Sequence, residues 1–176
     1  MICKSTRMPY GIFGAALLLS LSGCAMNPAT GESMLSMVSE GQEVQMGQQY
    51  MAEVEREQGL YDDPALGAYV DSVGQALAAV SERPDIPWSF KVVDDPVVNA
   101  FALPGGPIYV ARGLLAHFNT EAEMASVLGH EIGHITARHI VEQMSRQQLA
   151  QFGLIASLIA VADLMPCALG LSGALG

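Results

Sequence analysis

Apolar residues recur in three rhythms along this chain of 176 residues, and each rhythm predicts a different element. Leu66, Tyr69, Val70, Val73, Leu77 and Val80 follow the three-and-four spacing that places one stripe on a helix. Asp63-Pro64 adds a cap and a first-turn proline, so a helix is predicted from there to about Glu82, where Arg83-Pro84-Asp85-Ile86-Pro87 breaks it. An earlier helix starts at the capping box Ser39-x-x-Gln42 and stops near Gln58 at Gly59. Its apolar face (Val44, Met46, Tyr50, Met51, Val54) is thin, which predicts packing on the outside. Trp88 to Val92 alternates apolar and polar, as a half-buried strand does. Asn99–Leu103 and Ile108–Val110 flank Pro104-Gly105-Gly106-Pro107, a turn whose glycines suit positive φ, so an antiparallel hairpin is expected. Gly113 to Phe118 reads as a short helix, and Thr120-x-x-Glu123 is a second capping box opening a long one.

The two ends follow other rules. Lys4 and Arg7 precede an apolar run, Ile12 to Leu21, that is too short to span a bilayer comfortably and fits a targeting segment. Leu21-Ser22-Gly23-Cys24 then resembles the bacterial lipobox, so residues 1–23 are expected to be a lipoprotein signal and Cys24 the lipidated mature start. A plain secretory signal with an incidental cysteine is the other reading. Ala25, rather than aspartate, follows Cys24, which favours an outer-membrane anchor facing the periplasm. Residues 24–38 are polar and rich in turn signals, and are expected to form a tether. Leu149 to Leu164 is apolar apart from Gln151, Ser157 and Asp163, and a buried or interfacial helical hairpin is preferred there to a membrane span. An end inside such a segment suggests that the domain expected from 39 to 176 continues beyond Gly176.

Charge and cysteines narrow the function. The formal net charge is −10. Without residues 1–23 it becomes −12, since Lys4 and Arg7 leave six basic residues against 18 acidic ones. That acidity argues against nucleic acid as a partner and against an electrostatic grip on anionic lipid. With Cys3 in the signal and Cys24 lipidated, Cys167 alone remains, so no internal disulfide is expected. One compact domain with one core is the size limit.

His130-Glu131-Ile132-Gly133-His134 carries the chemistry. Histidines four apart on a helix lie about 40° apart in azimuth and one turn apart in height, so both imidazoles reach one ion. Zn–N bonds of about 2.0–2.1 Å fit that spacing. Glu131, on a neighbouring azimuth, reaches a zinc-activated water rather than the metal and serves as general base. A histidine pair on a helix surface is the plain alternative. Against it stand Val127, Leu128, Ile132, Ile135 and Ile140, which make the helix at least half-buried.

Taken together, the motifs resemble the HtpX-like and prenyl-endopeptidase-like zinc metallopeptidases, in particular their periplasmic lipoprotein branch. The residues that carry the likeness are Asn99-Ala100-Phe101-Ala102-Leu103-Pro104-Gly105-Gly106, then Ile108-Tyr109-Val110 with Gly113-Leu114-Leu115. Glu121 and Glu123 follow, leading into Val127 to His134 with Arg138-His139 just after. The resemblance implies an α+β, mostly helical, zincin-like protease domain with a small antiparallel sheet beside the zinc helix. It also implies that Asn99, Ala100, Phe101 and Ala102 form a sheet edge that pairs with extended substrate. Family members take a third zinc ligand, a glutamate, from a Glu-x-Glu-Ala-Asp-like motif well downstream, and nothing similar follows His134 here. On one continuous helix His139 lies about 140° from His134 and ~7.5 Å along, and Glu142 ~12 Å along, so neither substitutes. His117 is expected to be structural.

Two functions fit. One is a zinc metalloendopeptidase of the cell envelope, with one zinc per chain and misfolded or stalled envelope proteins as substrates. The other is a non-catalytic periplasmic client-binding or outer-membrane assembly quality-control factor. With two ligands only, the 176 residues are expected to hold zinc weakly and to lack peptidase activity.

Overall fold

The computed structural model describes residues 24–168. The expected signal, residues 1–23, and the last positions, 169–176, lie outside the described residues. The chain begins with two short antiparallel strands, β1 (Cys24–Met26) and β2 (Ser33–Leu35), paired Cys24 to Leu35. This corrects the tether expected over 24–38. Asn27 is buried, and its side-chain amide donates to the Ala137 carbonyl at 3.1 Å, while Met37 N–H donates to Ser145 Oγ at 3.0 Å. Polar composition described the turn residues correctly, but those residues bond to a distant part of the chain.

Helix α1 (Glu40–Glu57) is capped as its sequence predicts, with Ser39 and Gln42 each accepting from the other's backbone N–H. Gly59 follows it in the left-handed region at φ 73°. Helix α2 (Pro64–Ala78) starts on the Asp63 cap and ends four residues before Glu82. Strand β3 (Ser89–Val93), β4 (Ala100–Ala102) and β5 (Pro107–Ala111) form one sheet in the order β3-β5-β4. The short helix α3 (Arg112–Leu115) leads to α4 (Glu121–Thr136), whose Thr120 cap accepts from Glu123 N–H.

The β4–β5 hairpin is antiparallel, but β3 runs parallel to β5, so the sheet is mixed rather than wholly antiparallel. Burial explains the β5 sequence. Ile108 and Val110 face α2 and α4 with Phe90, Val92, Val70, Leu128, Ile132 and Ile135. Tyr109 and Ala111 face the other way, with Met51 and Val54 of α1 among the side chains that cover them. A central strand covered on both faces reads as an unbroken apolar run. The fold is α+β, with α1 on one side of the sheet and the α2–α4 pair on the other.

The turn between β4 and β5 is pressed into this frame. Gly105 (φ 77°) and Gly106 (φ 129°) adopt conformations that suit glycine, and a Cβ on Gly105 would come within 2.6 Å of Val44 Cα. Gly47 of α1 meets the same turn, where a Cβ would lie 2.0 Å from the Pro104 carbonyl oxygen.

After α4 the chain does not continue as one helix. Arg138 stands at φ 54°, and a new helix, α5, runs from His139 to Ala168. α5 is continuous across 149–168, so the hairpin expected in that stretch is not formed there. Leu, Ala and Gln favour helix, and Gly153 opposes it by only about 1 kcal/mol. Among the described residues no helix is long and apolar enough to cross a membrane.

Glu43, on α1, is buried between two arginines: Arg83 donates to both carboxylate oxygens at 3.1 and 3.2 Å, and Arg138 Nε donates at 2.9 Å. Glu43→Ala is expected to cost about 3–5 kcal/mol of unfolding free energy, because Arg138 stays buried without a counter-ion and Arg83 keeps only the exposed Glu40. A urea titration checks this, and a midpoint equal to the parent's would contradict it.

Candidate metal centre

α4 presents the site because its apolar stripe fixes its rotation. Met124, Leu128, Ile132 and Ile135 are buried against the sheet and α2, and the stripe leaves His130 exposed and Glu131 and His134 half-exposed on another face. The predicted pair converges. His130 Nε2 and His134 Nε2 are 3.1 Å apart, with the rings nearly perpendicular and their centroids 4.6 Å apart. Two nitrogens at that separation reach one ion through ordinary zinc–nitrogen bonds of about 2.0–2.1 Å. The donor set therefore fits a zinc ion as two of its ligands. Among the described residues, no group of three His, Cys, Asp or Glu side chains is placed to complete it.

Glu131 sits where α4 meets β4. Burial, the largest influence, raises its pKa above the usual carboxylate value. His134, His130 and the backbone amide of Ala102 act in the opposite direction. α4 packs against β4, which sets the carboxylate close to the sheet edge. Leu103 N–H bonds to the Pro107 carbonyl and Ala111 N–H to that of Asn99, so the odd-numbered residues of this strand face β5. Antiparallel alternation then turns the N–H and C=O of Ala100 and Ala102 outward. Among the described residues β4 is the last strand of the sheet, so no strand of theirs pairs with this edge. Of the four residues expected to meet substrate, Ala100 and Ala102 turn their backbone groups away from β5, whereas Asn99 and Phe101 use theirs within the sheet. The Phe101 ring stacks on Tyr109, at 5.4 Å between centroids.

His139 departs from its expected place. Its Nδ1 lies 2.9 Å from Nδ1 of His134, because the turn at Arg138 swings the start of α5 back toward α4. The estimate of about 140° assumed one continuous helix, which the left-handed residue interrupts. His139 still does not share an ion with His130, since it meets the opposite nitrogen of the His134 ring. Glu142, on the same new helix, is paired with Arg146 at 2.7 Å. His117 Nδ1 donates to the Gly113 carbonyl at 2.7 Å, the structural role expected of it. Cys24, the expected lipidation site, is the first residue of β1.

Sequence reasoning missed the Glu43–Arg83–Arg138 cluster, which reaches the end of α4 through an Arg83 hydrogen bond to the Ile135 carbonyl at 3.0 Å. One signal was available: Glu43, Gly47, Met51 and Val54 lie at helical spacing on one stripe of α1, and a charge on an inward stripe needs a partner.

A helix bearing this histidine pair, set beside an open strand, agrees with a comparison to known families. The model of peptidase family M48 matches residues 64–169. The chain belongs to peptidase family M48. Over 121 residues, or 69% of its length, it is 36% identical to the beta-barrel assembly-enhancing protease of Escherichia coli K12. It is 35% identical over 153 residues to the protein of that name from Yersinia pestis, and 43% identical over 91 residues to mitochondrial metalloendopeptidase OMA1 of Arabidopsis thaliana. These matches cover 84% and 52% of the chain. Conversely, they span 25%, 32% and 19% of the three relatives, so this M48 chain corresponds to a quarter to a third of the bacterial proteins. The metallopeptidase resemblance read from Asn99–Gly106 and from His130 to His139 is borne out at the level of the family.

His130→Ala and His134→Ala are each expected to abolish measurable zinc uptake, since each leaves a single imidazole at the site. Metal content after dialysis, set against the parent, reads this out.

Proposed function

We propose that this M48 chain is the zinc-binding part of a metalloendopeptidase of the bacterial cell envelope, acting on misfolded or stalled proteins in extended form. The observation that carries the reading is the junction of three elements: converging Nε2 atoms, Glu131 on the same helix beside them, and the edge of β4 against which that helix packs. When bound, zinc supplies a Lewis acid that polarises the scissile carbonyl and acidifies water. His130 and His134 would hold it through Nε2. Substrate backbone adds to β4 as a further strand, bonding to the outward groups of Ala100 and Ala102. This lays the peptide across the face where Glu131 stands. Glu131 accepts a proton from the attacking water and returns it to the leaving amine.

The relatives named for β-barrel assembly suggest unfolded or misassembled outer-membrane proteins as substrates. The lipobox-like Leu21-Ser22-Gly23-Cys24 supports attachment to the outer membrane through a lipid on Cys24, with the domain facing the periplasm. Cys24 belongs to β1, so such an anchor would join a folded hairpin directly and hold the domain close to the membrane surface. The open edge of β4 also suits a binding-only factor that holds client segments without cutting them.

Three outcomes follow from this reading. In a longer protein that joins this chain to a third zinc ligand, Glu131→Gln is expected to retain the metal while peptide cleavage falls about 10²–10⁴-fold. Unchanged cleavage in a preparation free of other proteases would remove Glu131 from the mechanism, and absence of cleavage in the parent would favour the binding-only role. Ala102→Pro is expected to raise KM for extended peptides without loss of zinc. It removes an outward N–H and spares the bonds to β5, a position where edge strands accept proline. Cys24→Ala is expected to move the protein from the detergent phase to the soluble fraction. A parent that is freely soluble, with no acyl mass on its N-terminal peptide, would overturn the anchor.

A further inference from the structure

The end of α4 is built with more care than a helix terminus requires. Arg138 takes a left-handed conformation, and its N–H closes onto the Ile135 carbonyl at 3.0 Å. Its guanidinium is fixed by Glu43 at 2.9 Å and by the Val38 carbonyl at 2.9 Å. Arg83 donates to the Ile135 carbonyl, and Asn27 donates to that of Ala137. Four separate segments thus hold one turn. The product of that turn is a single contact, His139 Nδ1 against His134 Nδ1 at 2.9 Å.

Two bare imidazole nitrogens at this distance share one proton, and which ring carries it decides what His134 can do. A histidine that offers Nε2 to a metal must keep its proton on Nδ1, and that tautomer is stabilised by an acceptor held opposite Nδ1. With His139 accepting at Nδ1, its own proton resides on Nε2, and His134 Nε2 is left with a free lone pair directed toward His130. We propose that His139 is a positioning residue for His134, selecting the Nδ1–H tautomer and the ring orientation that make Nε2 a ligand. Acceptors in this place are ordinarily carboxylates or backbone carbonyls. An imidazole does it here because the left-handed turn delivers one. This inference rests on the reading of His130 and His134 as metal ligands, and its test separates the two.

The chain is labelled with ¹⁵N-histidine and kept metal-free at a pH where imidazoles are neutral. Long-range ¹H–¹⁵N spectra then report which nitrogen of His134 bears the proton. The expected result is Nδ1–H in the parent and in His139→Asn, whose Oδ1 replaces the accepting nitrogen, and Nε2–H as the main form in His139→Leu. Zinc affinity, measured by competition with a chromophoric chelator, is expected to fall about 10–100-fold in His139→Leu and to recover in His139→Asn. Circular dichroism verifies that both variants keep their helices. Nε2–H on His134 in the parent overturns the positioning role whatever the zinc result. An unchanged tautomer in His139→Leu overturns it equally. A longer protein that joins this chain to a third zinc ligand and still takes up no zinc overturns the metal reading instead, whatever the tautomer of His134.

Discussion

A carboxylate sealed among arginines holds the two halves of this domain together. Glu43, on α1, accepts from Arg83, which lies just beyond α2, and from Arg138, which separates α4 from α5. Glu40 adds a second, more exposed carboxylate 3.5 Å from Arg83, so two acids face two bases. Burying such charges carries a desolvation cost that only good geometry offsets, and a cluster of this kind contributes position more than stability. The position it fixes is the end of the helix that carries the histidines.

The sheet provides the second constraint. β5 is central and covered on both faces, and its rigidity passes to β4 through the hairpin. β4 has one side bonded and one side open. The open side does not face bulk solvent at random, because α4, which carries Glu131, packs against this strand. One short strand therefore serves two ends: it completes the sheet with alternate backbone groups and presents the remainder next to a carboxylate. The pinched Pro104–Pro107 turn, pressed against Gly47 of α1, keeps the strand in register.

These two constraints meet at the histidines. The apolar stripe of α4 sets the rotation that leaves His130 and His134 on an accessible face, and the turn after α4 sets what lies behind His134. Membership of peptidase family M48 agrees with the first of these arrangements. The second is a property of this chain's own tertiary contacts, since it depends on Asn27, Glu43 and Arg83 reaching the same few carbonyls and the same guanidinium.

The sequence by itself determined whatever depends on neighbours a few residues apart. Capping boxes at Ser39 and Thr120, the Asp63-Pro64 start, the glycine turn before β5 and the facing of His130 with His134 are all set by local hydrogen bonds and by 3.6-residue periodicity. Tertiary structure decided the rest. Residues 24–38 read as tether because their partners, Ala137 and Ser145, lie more than a hundred positions away. β3 runs parallel to β5 because a crossover, not a turn, joins them, and composition does not encode direction. His139 read as remote from His134 because helical periodicity extends smoothly through Ala137 and Arg138. Arg138 turns left-handed where a buried glutamate from α1 binds its side chain, and no local pattern records an attraction between residues 95 positions apart.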